Sequence, residues 1–285
     1  MKLGILLRKV LYIFLLLSIA TQLRAEDTLS VTKSIMFGAG TVGGFAASYI
    51  FQSNEYWDDP AEWHVMDWQT EYDDALLADK MGHFYFSYAL ANSFAKATEW
   101  TGLDKESSAW VGFGASMLHQ TYVEIYDGYS DGRPYLGFSR GDMVANILGA
   151  SYSVAQYYEP YLNYIKPKIS YYPFTSPTHP SVFNDYNSTN HWVSVDVAGM
   201  LDIDDNVFPG LFAVALGHSV TGIDRYGAGQ HQFYLGLDIN WNYFKQFEIV
   251  QDSYYLQFII NLFEKYKVPL PALRLNNGVD AFLVR

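Results

Sequence analysis

Three short polar stretches interrupt apolar segments of this 285-residue chain, and the spacing inside each stretch is typical of an α-helix. Residues three, four or seven positions apart lie on one face of a helix, so each stretch predicts a polar stripe on an otherwise apolar helix. If the three stripes face one another, they form one site. The stretches are Asp79-Lys80-x-x-His83, Gln120-x-x-x-Glu124-x-x-Asp127 and Ser139-x-x-Asp142-x-x-x-Asn146-x-x-Gly149.

The carboxylates in these stripes indicate either cation binding or a hydrogen-bonded network that holds the helices together. A carboxylate that is buried among apolar neighbours needs a cation, a metal ion or hydrogen bonds to offset its lost hydration. Glu124 and Asp127 raise each other's proton affinity unless a cation lies near them. A set of oxygen ligands with one imidazole suits a hard divalent cation or manganese better than zinc. The candidate metal ligands are Asp79, His83, Glu124, Asp127 and Asp142.

The same residues are also compatible with a catalytic site. Asp79 precedes His83 by one helical turn, where it would orient the imidazole and raise its basicity, so His83 is the candidate general base. Arg133 lies between the second and third stretches, where its guanidinium could bind a substrate anion. With a divalent cation, these three residues would support hydrolysis of a lipid or cell-wall phosphate.

The non-catalytic alternative is a polar network that holds the helices together or binds a cation. In that interpretation Lys80, Ser139, Asn146 and Gly149 have structural roles. Lys80 follows Asp79 directly and so points about 100° away from it around the helix, which predicts pairing with Glu124 or Asp127 instead. The residues alone are compatible with both a catalytic and a non-catalytic role.

Composition excludes several classes of partner and site. The net charge of −12 repels phosphate backbones, so we expect no nucleic-acid partner. The absence of cysteine excludes disulfides, thiolate metal sites and a lipoprotein anchor. Aromatic residues make up 18% of the chain and are favoured at membrane interfaces, so the expected partners are membrane or envelope components.

The amino terminus predicts export. Three basic residues precede the apolar run from Val10 to Ala20, and Ala25 ends the segment before two acids. This order is typical of a signal peptide over residues 1–25, with an uncleaved anchor helix as the alternative. Either way, we expect a periplasmic or outer-membrane-associated protein.

A Gly- and Ala-rich apolar segment from Ser34 to Phe51 is long enough to cross a bilayer or nearly so. It contains Gly38-x-Gly40-x-x-Gly43, which formally matches a dinucleotide-binding fingerprint. No strand is predicted before it, and small residues at this density more often let helices pack closely, so we expect no nucleotide.

The remaining pattern predicts an α+β protein in three parts. Residues 31–162 form a four-helix-bundle-like region that carries the polar cluster, and residues 163–190 form a Pro-rich connector. The predicted helices are Ser34 to Phe51, about Leu76 to Glu99, Ser107 to Tyr126 and Ser139 to Tyr157, the last with a capping start at Ser139. Residues 191–285 form a small antiparallel β-rich region with one helix from about Tyr254 to Tyr266, which Pro269 and Pro271 end. Its predicted strands, of which the third alternates most clearly, are Trp192 to Met200, Leu211 to Val220, His231 to Trp241 and Val279 to Val284. The strands are too few for a closed membrane barrel of eight, although the many Tyr and Gly residues leave a barrel as an alternative.

Over about Asp79 to Ala150 the chain resembles the YfiM-type predicted periplasmic lipoproteins, a bacterial family of unknown function. The resemblance implies an envelope location and a helical core, and it implies no particular activity. The looser order of Asp-Lys-x-x-His, an acid and Asp-x-x-x-Asn-x-x-Gly is similar to VanZ-like membrane proteins. This chain lacks the anchor cysteine of the small lipoproteins, so their mode of anchoring does not transfer. The shared motifs are Asp79-Lys80-x-x-His83-Phe84 with Ser87, Glu124-x-x-Asp127, Phe138-Ser139-x-x-Asp142-x-x-x-Asn146-x-x-Gly149, and, in longer members, Asn184-Asp185-Tyr186-Asn187.

Overall fold

The computed structural model describes residues 29–57, 59–130, 136–172, 182–183, 185–203, 208–223, 228–276, 279 and 281–284. The predicted signal peptide and the candidate anion-binding residue Arg133 lie outside these ranges. The chain divides into two compact units, one from residues 1–66 and 86–157 and the other from residues 67–85 and 158–285. The division falls inside one long helix. The predicted α+β class is confirmed, since helices precede an antiparallel sheet along the chain.

The first unit is helical, and each of its helices was predicted from the sequence. Three helices begin at a side chain that caps free backbone N–H groups, as the polar residues before them predict. Ser30 accepts from the N–H of Lys33, and Asp104 accepts from that of Ser107 at 2.9 Å. The helices are α1 (Val31–Glu55), α3 (Ala78–Thr101, of which residues 86–101 belong here), α4 (Lys105–Asp127) and α5 (Arg140–Tyr158).

Many small and polar side chains lie inside this unit beside a few larger ones such as Phe45 and Tyr88, while many large apolar side chains lie outside. On α4 the buried positions include Gly112, Ser116, Gln120 and Glu124. On α5 the buried face carries Asp142, Asn146 and Gly149 among alanines and serines. The exposed positions include Ile35 and Met36 on α1, Trp110 on α4, and Val144, Ile147 and Leu148 on α5.

Helix α1 packs on this unit through one face only. Phe45 is buried and meets Phe94 edge to face, with ring centroids 6.0 Å apart. The hydroxyl of Ser48 lies 2.9 Å from the Nε2 atom of His119, which also packs edge to face on Phe45. Within the described chain, α1 is the helix that is long and apolar enough to cross a membrane.

Two glycines of α4 provide a matched test of this packing. A Cβ atom on Gly112 would overlap the carbonyl oxygen of Ala91, whereas a Cβ on Gly114 would meet no atom within 4 Å. We expect Gly112→Ala to lower the free energy of unfolding by about 1–3 kcal/mol, because backbone cannot move aside. Gly114→Ala should raise it by up to about 1 kcal/mol through helix propensity. Chemical denaturation of both variants in the same detergent measures the two free energies of unfolding. Equal changes in the two variants would contradict the close approach of Gly112 to the backbone of Ala91.

The second unit is built on one antiparallel sheet of six strands in the order β1-β2-β3-β4-β5-β6. Each strand pairs with the next along the chain, so the connections are short. The strands are β1 (Ile165–Tyr171), β2 (Thr189–Val195), β3 (Phe212–Thr221), β4 (Gln230–Ile239), β5 (Pro271–Arg274) and β6 (Ala281–Val284). Its helices are α2 (Trp68–Asp73), the first residues of α3, α6 (Val197–Met200), α7 (Glu248–Gln251) and α8 (Tyr254–Phe263).

The sheet is strongly curled, and an ion pair shows it. Adjacent strands lie about 4.8 Å apart, so three steps across a flat sheet would separate β1 from β4 by roughly 14 Å. Nevertheless, the Nζ atom of Lys168 on β1 lies 2.6 Å from Oδ2 of Asp238 on β4. Ser194 on β2 donates to the same carboxylate oxygen at 2.7 Å. Side chains of β1 and β2 therefore meet one buried carboxylate of β4 on the concave face.

The concave face is buried and carries polar groups beside the apolar cluster of Trp192, Ala215, Tyr234 and Ala272, whereas much of the convex face is apolar and exposed. Lys267 lies over the ring of Trp192, with its Nζ atom 4.4 Å from the ring centroid, and burial lowers the pKa of Lys267 to about 8. On the opposite face, alternate residues of β2 to β4 remain in contact with solvent. These exposed residues are Val193, Val214, Leu216, Phe233, Leu235 and Leu237.

Two strands were missed, and one predicted strand is shorter than expected. The predicted connector over residues 163–190 contains β1, whose Pro167 and two lysines concealed the pattern. Strand β5 begins at Pro271, which was taken to end a helix. The strand predicted from Trp192 to Met200 ends at Val195, because Asp196 caps the short helix α6 by accepting from the N–H of Gly199.

Candidate functional site

Asp79 and His83 lie together at the start of α3, in the sheet unit. The Nε2 atom of His83 is 3.6 Å from Oδ1 of Asp79, one turn away, as the spacing predicted. The hydroxyl of Tyr186 donates to the same oxygen at 2.5 Å. Lys80 donates to the other oxygen at 3.1 Å. Lys80 thus contacts its own neighbour, which its long flexible stem can reach, and its pairing with Glu124 or Asp127 stays a prediction.

The three partners of Asp79 keep this buried carboxylate ionised. Burial on its own would raise the pKa of Asp79, but the positive charge of Lys80, the imidazole of His83 and the hydroxyl of Tyr186 together bring that pKa below its usual value. The Asp79 carboxylate is thus an anion with defined hydrogen bonds, which is the state that can orient an imidazole.

An unusual turn places these residues against the sheet. Ala75, Leu76 and Leu77 all have positive φ angles, between 46° and 66°, which L-residues other than glycine seldom adopt. Such a conformation costs about 1–2 kcal/mol per residue. Packing offsets this cost, since Ala75 and Ala78 are buried against Val220 of β3. The start of α3 is therefore held over one end of the convex face.

Three histidines on three neighbouring strands occupy that end of the convex face. His191 on β2 is the register partner of His218 on β3. The Nε2 atom of His218 lies 2.9 Å from Nδ1 of His231 on β4. Burial lowers the pKa of both His191 and His218 to about 4, and the neighbouring histidine adds to the effect in each case. For His191, the nearby carboxylate of Asp79 acts in the opposite direction.

The other predicted residues form a polar cluster inside the helical unit. Glu124 on α4 is almost completely buried, and its Oε2 atom accepts from the N–H of Ser139 at 3.3 Å. The amide nitrogen of Asn146 lies 3.5 Å from Oε1 of Glu124. Ser139 also caps α5, because its Oγ atom accepts from the N–H of Asp142 at 3.0 Å. These contacts confirm the predicted start of α5 and join it to α4.

A serine pair extends the same cluster to α3. Ser87 donates to the carbonyl oxygen of Asn146 at 2.7 Å, and its Oγ atom lies 3.0 Å from that of Ser116. Ser116 donates to the carbonyl oxygen of Ser87 at 2.8 Å. Asp127 has a separate partner, since the indole N–H of Trp57 donates to its Oδ1 atom at 2.6 Å. The cluster thus connects three helices through fully buried groups.

The predicted set of metal ligands divides between the two units. Asp79 and His83 belong to the sheet unit, and Glu124, Asp127 and Asp142 belong to the helical unit. Sequence reasoning gave no role to the sheet histidines or to Tyr186. A signal for two of them existed, because His218 and His231 each stand in an alternating strand pattern among apolar residues. His191 directly precedes the predicted strand that starts at Trp192.

Comparison with known proteins gives one match. Residues 67–158 match the family model described as "Predicted periplasmic lipoprotein (DUF2279)". No curated protein matches the chain, and no solved structure matches it. The matched segment contains all three polar stretches on which the sequence resemblance was based. The description supports an exported protein that is periplasmic or membrane-associated. Residues 67–158 are therefore similar to the DUF2279 family of predicted periplasmic lipoproteins, whose function is unknown.

Proposed function

We propose that this chain is a membrane-associated envelope protein with a structural or binding role, in which the apolar exterior of the helical unit contacts lipid and the polar cluster holds its helices together. The observation that carries this proposal is the reversed distribution of side chains in α4 and α5. Their buried faces carry Ser116, Glu124 and Asn146, whereas Val144 and Leu148 are each 56% exposed. A protein surrounded by water places such residues the other way round.

The dimensions of α1 support the same proposal. Its 25 residues correspond to a helix about 37 Å long, which exceeds the roughly 30 Å of a hydrocarbon core. Ile35 and Ile50 lie exposed near its two ends, at 66% and 57% of their full surface. An apolar surface of this extent is typical of contact with lipid or with a partner.

The polar cluster supports a structural role because every part of it joins two helices. In lipid, hydrogen bonds between buried polar side chains help to hold helices together, and small residues let their backbones approach. Glu124 joins α4 to the start of α5, and the Ser87 and Ser116 pair joins α3 to α4. A cation could contribute to the same cluster through Glu124 and Asp142.

Flotation with lipid vesicles tests the proposal. We expect the purified chain, reconstituted by detergent removal with neutral phospholipid, to float with the vesicles and to resist carbonate extraction. Val144→Gln with Leu148→Gln should reduce the floating fraction, because both amides would face acyl chains. The matched control is Lys105→Gln with Glu106→Gln, which changes two exposed residues at the start of α4 without changing net charge. A wild-type chain that stays monodisperse in buffer without detergent would contradict lipid contact.

A second candidate function is a metal-assisted hydrolase acting on a lipid or cell-wall phosphate. It is favoured by one observation, the ionised Asp79 beside the imidazole of His83, which is the arrangement that prepares a general base. A phosphate-ester screen with His83→Ala tests it. Loss of turnover with an unchanged melting temperature would support catalysis, whereas a lowered melting temperature without any wild-type turnover would leave His83 a structural residue.

A further inference from the structure

Helix α8 of the sheet unit exposes an apolar face. The helix runs from Tyr254 to Phe263, and pairs of large side chains recur along it every four residues. This spacing places all of them on one side of the helix. Tyr255 is 84% exposed and Phe258 is 61% exposed. The outer face of α8 consists of Tyr254, Tyr255, Phe258, Ile259, Leu262 and Phe263.

The polar residues of α8 bind other parts of the sheet unit. Gln257 donates to a carbonyl oxygen of α7 at 2.7 Å, and Lys245 donates to the side-chain oxygen of Asn261 at 3.0 Å. Glu264 directly follows the helix, is buried, and forms ion pairs with Lys166 of β1 and with Lys245. These contacts fix the rotation of α8 about its own axis. The apolar side chains therefore stay outside, whereas an amphipathic helix of a protein in water normally turns its apolar side to the core.

We propose that α8 binds the surface of a phospholipid bilayer and lies in the plane of the membrane, with its outer face among the upper parts of the acyl chains. A helix of 10 residues is about 15 Å long, roughly half the thickness of a hydrocarbon core, so α8 can lie along a membrane but cannot cross it. Helices of this kind bury their apolar face about 5–10 Å deep. This surface belongs to the sheet unit, so its contact with lipid is independent of the one proposed for the helical unit.

The size and chemistry of the outer face favour lipid over a protein partner. The face is a strip about 15 Å long and about 10 Å wide, whereas each partner in a stable protein interface contributes roughly 800 Å². Its side chains carry no charge that could select a protein partner. The two tyrosines at its start have hydroxyl tips that suit the boundary between headgroups and acyl chains. The family description supports a location in which a membrane is close to the chain.

Fluorescent labels on single cysteines test the proposal, because the chain has no cysteine of its own. The full chain is reconstituted in neutral phosphatidylcholine vesicles with an NBD fluorophore on Tyr255→Cys, Phe258→Cys or Leu262→Cys. We expect the emission of each label to shift to shorter wavelength than in buffer. Lipids that carry a nitroxide near the headgroup should quench these labels more strongly than lipids that carry it near the end of the acyl chain. Iodide in the buffer should quench them only weakly.

The matched control is Gln230→Cys at the exposed start of β4. The other end of this strand lies about 30 Å away along its length. Just beyond that end, the ring of Trp241 stacks on Phe263 of α8, with ring centroids 4.8 Å apart. A label at Gln230 should be quenched by iodide and by neither lipid. Circular dichroism verifies that each labelled variant is folded.

Two results would overturn the proposal. In the first, iodide quenches the α8 labels as strongly as it quenches the control label, so the outer face lies in water. In the second, the α8 labels are protected from iodide but neither lipid quenches them, so protein covers the face. A label on Leu148→Cys in the same vesicles separates this surface from the helical unit. Lipid quenching at Leu148 with iodide quenching at α8 would contradict the α8 contact alone, and the reverse would contradict only the lipid contact of the helical unit.

Discussion

Asp238→Leu is expected to lower the free energy of unfolding by about 3–5 kcal/mol, because it leaves a buried cation without its counterion. The side chain of Lys168 is only 2% exposed, and the Asp238 carboxylate, 2.6 Å from its Nζ atom, is its charged partner on the concave face. Ser194 would lose the acceptor of its hydrogen bond at the same time. Lys267 also lies near this carboxylate, which favours its charged form. One substitution therefore affects two cations and one hydroxyl.

Two controls separate charge from packing in this experiment. The double variant Lys168→Met with Asp238→Leu should recover much of the loss, because well-packed apolar residues can replace a buried ion pair. Lys166→Gln removes the neighbouring ion pair with Glu264, in which the lysine side chain is 17% exposed. It should lower the free energy of unfolding clearly less than Asp238→Leu does. Urea unfolding in one detergent measures all three. An Asp238→Leu variant as stable as wild type would show that the sheet does not depend on this ion pair.

Glu124→Leu is expected to destabilise the helical unit by about 2–5 kcal/mol, because two buried donors lose the carboxylate that accepts their hydrogen bonds. These donors are the backbone N–H of Ser139 and the side-chain amide of Asn146. Since Ser139 also caps α5, the start of that helix should fray as well. The expected consequence is loss of protection from amide hydrogen exchange at the first turn of α5.

The matched control for Glu124→Leu lies three residues further along the same helix. Asp127→Asn retains an oxygen that can accept from the indole N–H of Trp57, so its cost should stay below about 1 kcal/mol. Hydrogen exchange followed by mass spectrometry compares the two variants in one detergent. Equal protection of α5 in wild type and Glu124→Leu would contradict the role of Glu124 as a lock between helices.

The helices and their polar stripes could be predicted because their periodicity is local. Asp79 and His83, and Ser139 and Asp142, meet at the spacing that the sequence shows. The contact of Lys80 with Asp79 could not be predicted in this way, since adjacent residues point about 100° apart on a helix and only a long flexible side chain brings them together. Tyr186 reaches Asp79 across 107 residues of chain, and no local pattern reports such a contact.

The location of the interior could not be read from hydropathy. Strand β4 alternates as predicted, with Phe233, Leu235 and Leu237 on one face, but those residues are exposed and Tyr234 and Asp238 are buried. Alternation fixes which residues share a face, whereas the partner of that face depends on the curl of the sheet and on the surroundings. The three sheet histidines were missed for a related reason, because they lie side by side only when β2, β3 and β4 pair.

The central claim is that the exposed apolar residues of the helical unit contact acyl chains while its polar residues lie inside. The chain has no cysteine, so a single introduced cysteine carries a spin label at one defined position. In vesicles, labels at Val144 and Leu148 should collide more often with oxygen than with a water-soluble nickel chelate. A label at Glu106 should show the reverse preference, and a label at the buried Ser116 should collide with neither. If the labels at Val144 and Leu148 prefer the nickel chelate as Glu106 does, these faces lie in water and the account is wrong.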